Sequence, residues 1–135
     1  MIPLEWTAVV KKILIVDDSL MDRKLLKGVL VKSGITQEFL EASDGEIGLQ
    51  VLSQNYQEIC LILLDWQMPK IDGMEFMRAV VKVSQTAAIP IVMITASSSQ
   101  ENKNQAYAIN PQLAAYVIKP YKSQDLIAII QPFLK

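Results

Sequence analysis

At 135 residues the chain fits one compact domain that can bury a core without disulfides or structural metal. Its 13 basic and 14 acidic residues leave a formal net charge of −1, which gives no global pull toward nucleic acid or anionic lipid, and an apolar content of 51% argues against disorder. One cysteine, Cys60, and no histidine exclude an intramolecular disulfide, Ser–His–Asp and Cys–His catalysis, and multi-cysteine or histidine zinc sites; carboxylates, hydroxyls and amines must carry any chemistry.

The first ten residues are mildly apolar, carry Glu5 and lack a leading basic cluster, so they do not read as a signal peptide. No apolar run approaches the ~20 residues needed to cross a bilayer, and the cytoplasm is the expected location. Ile13-Leu14-Ile15-Val16 is a short β-branched run, the mark of a strand covered on both faces. It ends in Asp17-Asp18-Ser19. Ser19 is placed to cap a helix reaching about Ser33, with Gly34 as the stop and Leu25, Leu26, Val29 and Leu30 at helical spacing. A weaker strand follows over Glu38 to Ala42. Ser43-Asp44-Gly45-Glu46 has the capping-box pattern and opens a second helix through Ile47, Val51 and Leu52.

Cys60 to Leu64 is a third, wholly apolar strand that ends in Asp65. The loop from Trp66 to Gly73 leads to a helix from about Met74 to Ser84. Ile91 to Ile94 is the fourth strand and ends in Thr95. The polar segment Ser97 to Asn104 reads as a connection before a short helix around Gln105 to Ile109, with Pro111 ending any helix there. Ala114 to Ile118 is the fifth strand and ends in Lys119-Pro120. A last helix runs from about Ser123 to Phe133, disturbed near its end by Pro132. Short apolar strands alternating with helices predict an α/β fold: a five-stranded parallel sheet with helices on both faces.

The polar residues cluster at strand ends: Asp17 and Asp18 after the first, Asp65 after the third, Thr95 after the fourth, Lys119 after the fifth. In an open parallel sheet all carboxyl ends lie along one edge, where ligands bind. Three carboxylates, a hydroxyl and an ammonium would converge there. Mutually repelling carboxylates invite a hard divalent cation such as magnesium.

Four segments carry a family resemblance: ILIVDDS at 13–19, LLDWQMPKIDGMEF at 63–76, VMITA at 92–96 and YVIKP at 116–120. Together they resemble the response-regulator receiver domains of two-component systems, close to the single-domain chemotaxis type. The likeness covers roughly residues 11 to 134 and sets residues 1–10 apart as an extension. It implies a flavodoxin-like, doubly wound sheet of order 2-1-3-4-5. It implies that Asp65 is the phosphoacceptor, taking a phosphoryl group from a phosphohistidine of a sensor histidine kinase or phosphotransfer protein. Asp17, Asp18, Asp65 and the backbone carbonyl of Gln67 would hold Mg2+ (or Mn2+), with Asp18 the more direct ligand of the first pair. Thr95 and Lys119 would bind the phosphoryl oxygens. Thr95 and Tyr116 would form the switch, and the Lys119-Pro120 bond would be cis. Such a domain catalyses only its own phosphorylation and dephosphorylation. It would act through a downstream protein as a monomer or weak homodimer, without touching nucleic acid or membrane.

Other readings fit the residues less well. A pseudo-receiver that binds partners constitutively would lack Asp65, Asp18 or Lys119, and all three are present. An aspartyl-phosphate phosphohydrolase needs an acid two residues after its nucleophile to protonate the leaving group, and Gln67 stands there. A flavodoxin needs a phosphate-cradling loop after the first strand, where Asp17-Asp18 would repel phosphate. Tyr116 could be plain core, Cys60 a small buried hydrophobe, and Met68, Met74, Met77 and Met93 packing. The stretch Ile109 to Ala115 departs from the family pattern, which commonly has Gly-Ala before the switch aromatic. A short or displaced fourth helix is therefore expected.

Overall fold

A computed structural model describes residues 11–134 as five strands alternating with five α-helices. The expected extension over residues 1–10, with Leu4 and Trp6, lies outside the described residues. The elements are β1 (Lys12–Val16), α1 (Leu20–Lys32), β2 (Glu38–Ala42), α2 (Gly45–Asn55), β3 (Ile59–Leu64), α3 (Gly73–Lys82), β4 (Ile91–Thr95), α4 (Gln100–Ile109), β5 (Ala115–Ile118) and α5 (Ser123–Ile130), followed by a 3-10 turn at Gln131–Phe133. The strands are all parallel, in the order β2-β1-β3-β4-β5. Among the described residues no helix is long and apolar enough to cross a membrane.

The strands alternate side chains between two cores. Leu14, Val16, Ile62, Leu64, Ile91 and Met93 meet α2, α3 and α4 through Leu52, Phe76, Met77, Val80 and Ala106. Ile13, Ile15, Leu61, Leu63, Val92 and Ile94 meet α1 and α5 through Leu26, Leu30, Leu126 and Ile130. Helices on both faces therefore require that successive residues of the central strands all be apolar, which is why these runs do not alternate with polar residues.

Four local expectations change. The cap of α2 is Asp44, whose Oδ1 accepts the Ile47 N–H at 2.8 Å, instead of Ser43. Leu25 is 59% exposed, so the buried stripe of α1 is Leu26 and Leu30. Cys60 is only partly buried. The fourth helix is neither short nor confined to Gln105–Ile109: it spans ten residues from Gln100. Ser99 caps it by accepting the Asn102 N–H at 3.2 Å, and Gln100 pairs with Asn104 one turn on at 2.9 Å. Only Ala106 of this helix is fully buried, so its polar first half had no apolar periodicity to reveal it. Asn110 ends it, accepting the Gln112 N–H on its own side chain at 3.1 Å, with Pro111 in the turn beyond.

Candidate functional site

The site is assembled by strand ends. Asp65 follows β3, and its N–H donates to the Val16 carbonyl at 2.9 Å; Asp17 follows β1 and donates to the Ala42 carbonyl at 3.1 Å. The Lys119 N–H donates to the Thr95 carbonyl at 2.8 Å. Sheet hydrogen bonding thus fixes the backbones of all four residues. By strand alternation, Asp17, Asp65 and Lys119 fall on the α1/α5 side, two residues beyond Ile15, Leu63 and Val117, whereas Thr95 falls on the other side, two beyond Met93. An atom attached to Asp65 would have Lys119 and Thr95 on opposite flanks.

Carboxylate oxygens of Asp17, Asp18 and Asp65 lie within 4.8 Å of one another. Asp17 is 6% exposed and buries its carboxylate against the Ser19 N–H, accepted at 2.9 Å. Asp18 is exposed, and Asp65 is largely buried. Burial pushes the Asp65 carboxyl up to about 6; Lys119 opposes this, and Asp17 and Asp18 add to it. The site therefore has more negative charge than its own ammonium relieves. Three hard oxygen donors with unrelieved charge fit a divalent cation. Gln67, whose carbonyl was expected to join them, is an exposed residue of the loop between β3 and α3.

That loop is pressed close to Asp65. Gly73 donates its N–H to the Trp66 carbonyl at 2.7 Å. A Cβ at Gly73 would collide with the Asp65 carbonyl oxygen and lie 2.8 Å from the Trp66 Cα, so glycine alone allows this approach. Lys70, with φ of 67°, takes the left-handed conformation at the loop's outer bend. Asp72, within the expected Trp66–Gly73 loop, caps α3 by accepting the Glu75 N–H at 2.9 Å. The Lys119–Pro120 peptide is cis.

Lys119 Nζ is 3.9 Å from Asp65 Oδ1 and 3.3 Å from Asp17 Oδ2. Its nearest partner is Asp22 Oδ2 at 3.1 Å, a residue the strand-end pattern did not reveal because it sits inside α1. Burial alone would lower the Lys119 ammonium, but Asp65, Asp22 and Asp17 outweigh it and hold it above its ordinary value. Arg23, the next residue, donates to the Asp17 carbonyl and pairs with Glu41 at 3.0 Å.

Thr95 is 2% exposed and its Oγ1 accepts the Ser97 N–H at 3.2 Å. The Ser97 carbonyl in turn accepts the Tyr116 hydroxyl at 3.0 Å. Tyr116 is half-buried and packs beside the α2/α3/α4 core, with its hydroxyl tied to the Ser97 main chain through this bond.

The fold has direct counterparts. The model of the response regulator receiver domain matches residues 13–131. The chain belongs to the response-regulator receiver family. Among solved structures, this receiver is similar to the chemotaxis protein CheY4 of Vibrio cholerae, at 30% identity and a TM-score of 0.79, covering 93% of this chain and 99% of that one. It is similar to the Mn2+-bound response regulator Rcp1, at 31% identity and a TM-score of 0.74, covering 90% of each chain. It is 33% identical over 125 residues to the phosphate regulon transcriptional regulatory protein PhoB of Pseudomonas aeruginosa, covering 93% of this chain but 52% of PhoB. The receiver thus spans about half the length of that relative. Its acidic cluster, with a divalent-metal-bound family structure beside it, fits divalent-metal binding.

Proposed function

We propose that this receiver accepts a phosphoryl group on Asp65 from a histidine kinase or phosphotransfer protein and switches its contacts with a downstream protein. The observation that carries this reading is the meeting of Asp17, Asp18 and Asp65 beside Lys119, with Thr95 on the opposite flank. In the transfer, an Asp65 carboxylate oxygen forms a bond to phosphorus as the phosphorus–nitrogen bond of the donor phosphohistidine breaks. The departing imidazole nitrogen keeps the electron pair. Asp17, Asp18, Asp65 and the Gln67 carbonyl would hold magnesium, which when bound supplies the positive charge that these carboxylates and the phosphoryl oxygens lack. Lys119 pairs with one phosphoryl oxygen, and the Thr95 hydroxyl donates to another. Mass measurement after treatment with a small phosphodonor tests the acceptor directly, as set out in the Discussion.

Trp66 follows Asp65 and supplies a reporter of the metal. Magnesium titration is expected to change its fluorescence saturably, in a Trp6→Phe background that removes the second indole. Asp18→Ala is expected to weaken the response by roughly tenfold or more, because a hard cation loses a charged ligand. Superimposable curves for the two proteins would rule out Asp18 as a ligand.

The switch runs through Thr95 and Tyr116. A phosphoryl oxygen is a stronger acceptor than the neutral oxygens around Thr95, so its hydroxyl turns toward Asp65. That rearrangement loosens the Ser97 N–H and, with it, the carbonyl that holds the Tyr116 hydroxyl. Tyr116 then changes rotamer, and the altered surface lets a partner select one state. With beryllofluoride on Asp65, Tyr116 is expected to change rotamer and lose its bond to Ser97. An unchanged rotamer at full occupancy would show that the output uses another route.

A further inference from the structure

The Lys119 ammonium is the one side-chain cation paired with Asp65 among the described residues, yet it is not hydrogen-bonded to it. Its donors go to Asp17 Oδ2 at 3.3 Å and Asp22 Oδ2 at 3.1 Å, while Asp65 Oδ1 stands at 3.9 Å. We infer that Asp22 is a positioning residue that parks the Lys119 ammonium on the α1 side, so that its release governs how readily Asp65 acquires and keeps a phosphoryl group.

This inference rests on Asp65 being the phosphoacceptor, and it concerns control of that site. The two parking carboxylates are not equivalent. Asp17 is held in place from several sides: its Oδ1 accepts the Ser19 N–H, its carbonyl accepts from Arg23, and its side chain is 8% exposed. The Asp22 side chain is 42% exposed and, at the start of α1, can turn to water. An anion on Asp65 needs the ammonium, and Asp22 is the partner that costs least to release. Its position is nonetheless well defined, because its backbone N–H is anchored on the Ser19 hydroxyl at 3.1 Å.

A simpler role is available to any acid in a first helical turn, namely favourable interaction with the helix dipole. That role does not require the carboxylate to be spent on a lysine 97 residues away. It also makes a different prediction. As a parking partner, Asp22 competes with the bound anion for the ammonium and adds like charge, and both effects oppose phosphorylation. Removing the carboxylate should therefore tighten the phosphorylated state.

Calorimetric titration with beryllofluoride at saturating magnesium tests this on the full chain. Asp22→Asn is expected to bind about fivefold more tightly than wild type, the scale of one partly exposed ion pair. Asp22→Glu, which restores a carboxylate within reach of Lys119, is expected to return to within about twofold of wild type. A Met21→Asp, Asp22→Asn protein restores the acid to the first turn but points it about 100° around the helix from Lys119, so it should keep the gain. Equal or weaker affinity in Asp22→Asn overturns the inference, as does loss of the gain in the doubly substituted protein. Asp65→Asn serves as the control: if it still binds beryllofluoride at wild-type affinity, the phosphoacceptor assignment fails, whatever Asp22 does.

Discussion

Incubation with acetyl phosphate and magnesium is expected to add one phosphoryl mass to the wild-type chain and none to Asp65→Asn. The amide keeps the shape of the carboxylate but offers no anionic oxygen to attack phosphorus. An adduct of unchanged yield in Asp65→Asn would remove Asp65 from the role. The same substitution has an opposite effect on stability when metal is chelated. In the folded chain burial pushes the Asp65 carboxyl up to about 6, against an ordinary value of 3.8. A raised carboxyl binds its proton more tightly folded than unfolded, so stability falls as pH rises from about 4 to about 6 and stays reduced above that. At roughly 1.4 kcal/mol per pH unit, the interval from 3.8 to about 6 corresponds to roughly 3 kcal/mol at most. Asp65→Asn in chelator at pH 7.5 is therefore expected to unfold at higher urea than wild type, by about 1–3 kcal/mol, with the two converging near pH 4. Coincident urea curves at pH 7.5 would mean that burial does not strain this carboxylate.

The second large effect is expected at Gly73. The atoms that a Cβ would strike, the Asp65 carbonyl oxygen and the Trp66 Cα, are both backbone, and neither can rotate away. Gly73→Ala should cost about 2–4 kcal/mol in urea unfolding, as overpacking against backbone does. Because the struck carbonyl belongs to Asp65, the proposed phosphoacceptor, labelling by acetyl phosphate should slow as well. A variant within about 0.5 kcal/mol of wild type would show that the loop gives way freely.

How much of this could be read from the sequence follows from where each residue's constraint originates. β1, β3 and β4 were legible because a strand buried on two faces must be apolar throughout. Asp17, Asp65 and Thr95 were legible because each interrupts such a run at its carboxyl end, and Lys119 because it ends the apolar stretch of β5. The first half of α4 was not. Its residues Gln100 to Asn104 are held by a cap and a side-chain pair, and neither leaves an apolar period. Leu25 fits the helical spacing of α1, yet spacing cannot say how far round the buried stripe extends. Asp22 was invisible for another reason: its partner lies on β5's far end, and a pairing across 97 residues has no local signature.

The tie between Thr95 and Tyr116 is made at Ser97 by main-chain atoms alone, an N–H on one side and a carbonyl on the other. Every amino acid but one carries both groups. Mutational drift at position 97 can therefore change charge, size and polarity while the connection is inherited intact. Proline, lacking the N–H, is the single replacement that severs it by chemistry alone. A signal routed this way is nearly blind to the identity of its middle residue, so related chains could share it with nothing in common at that site.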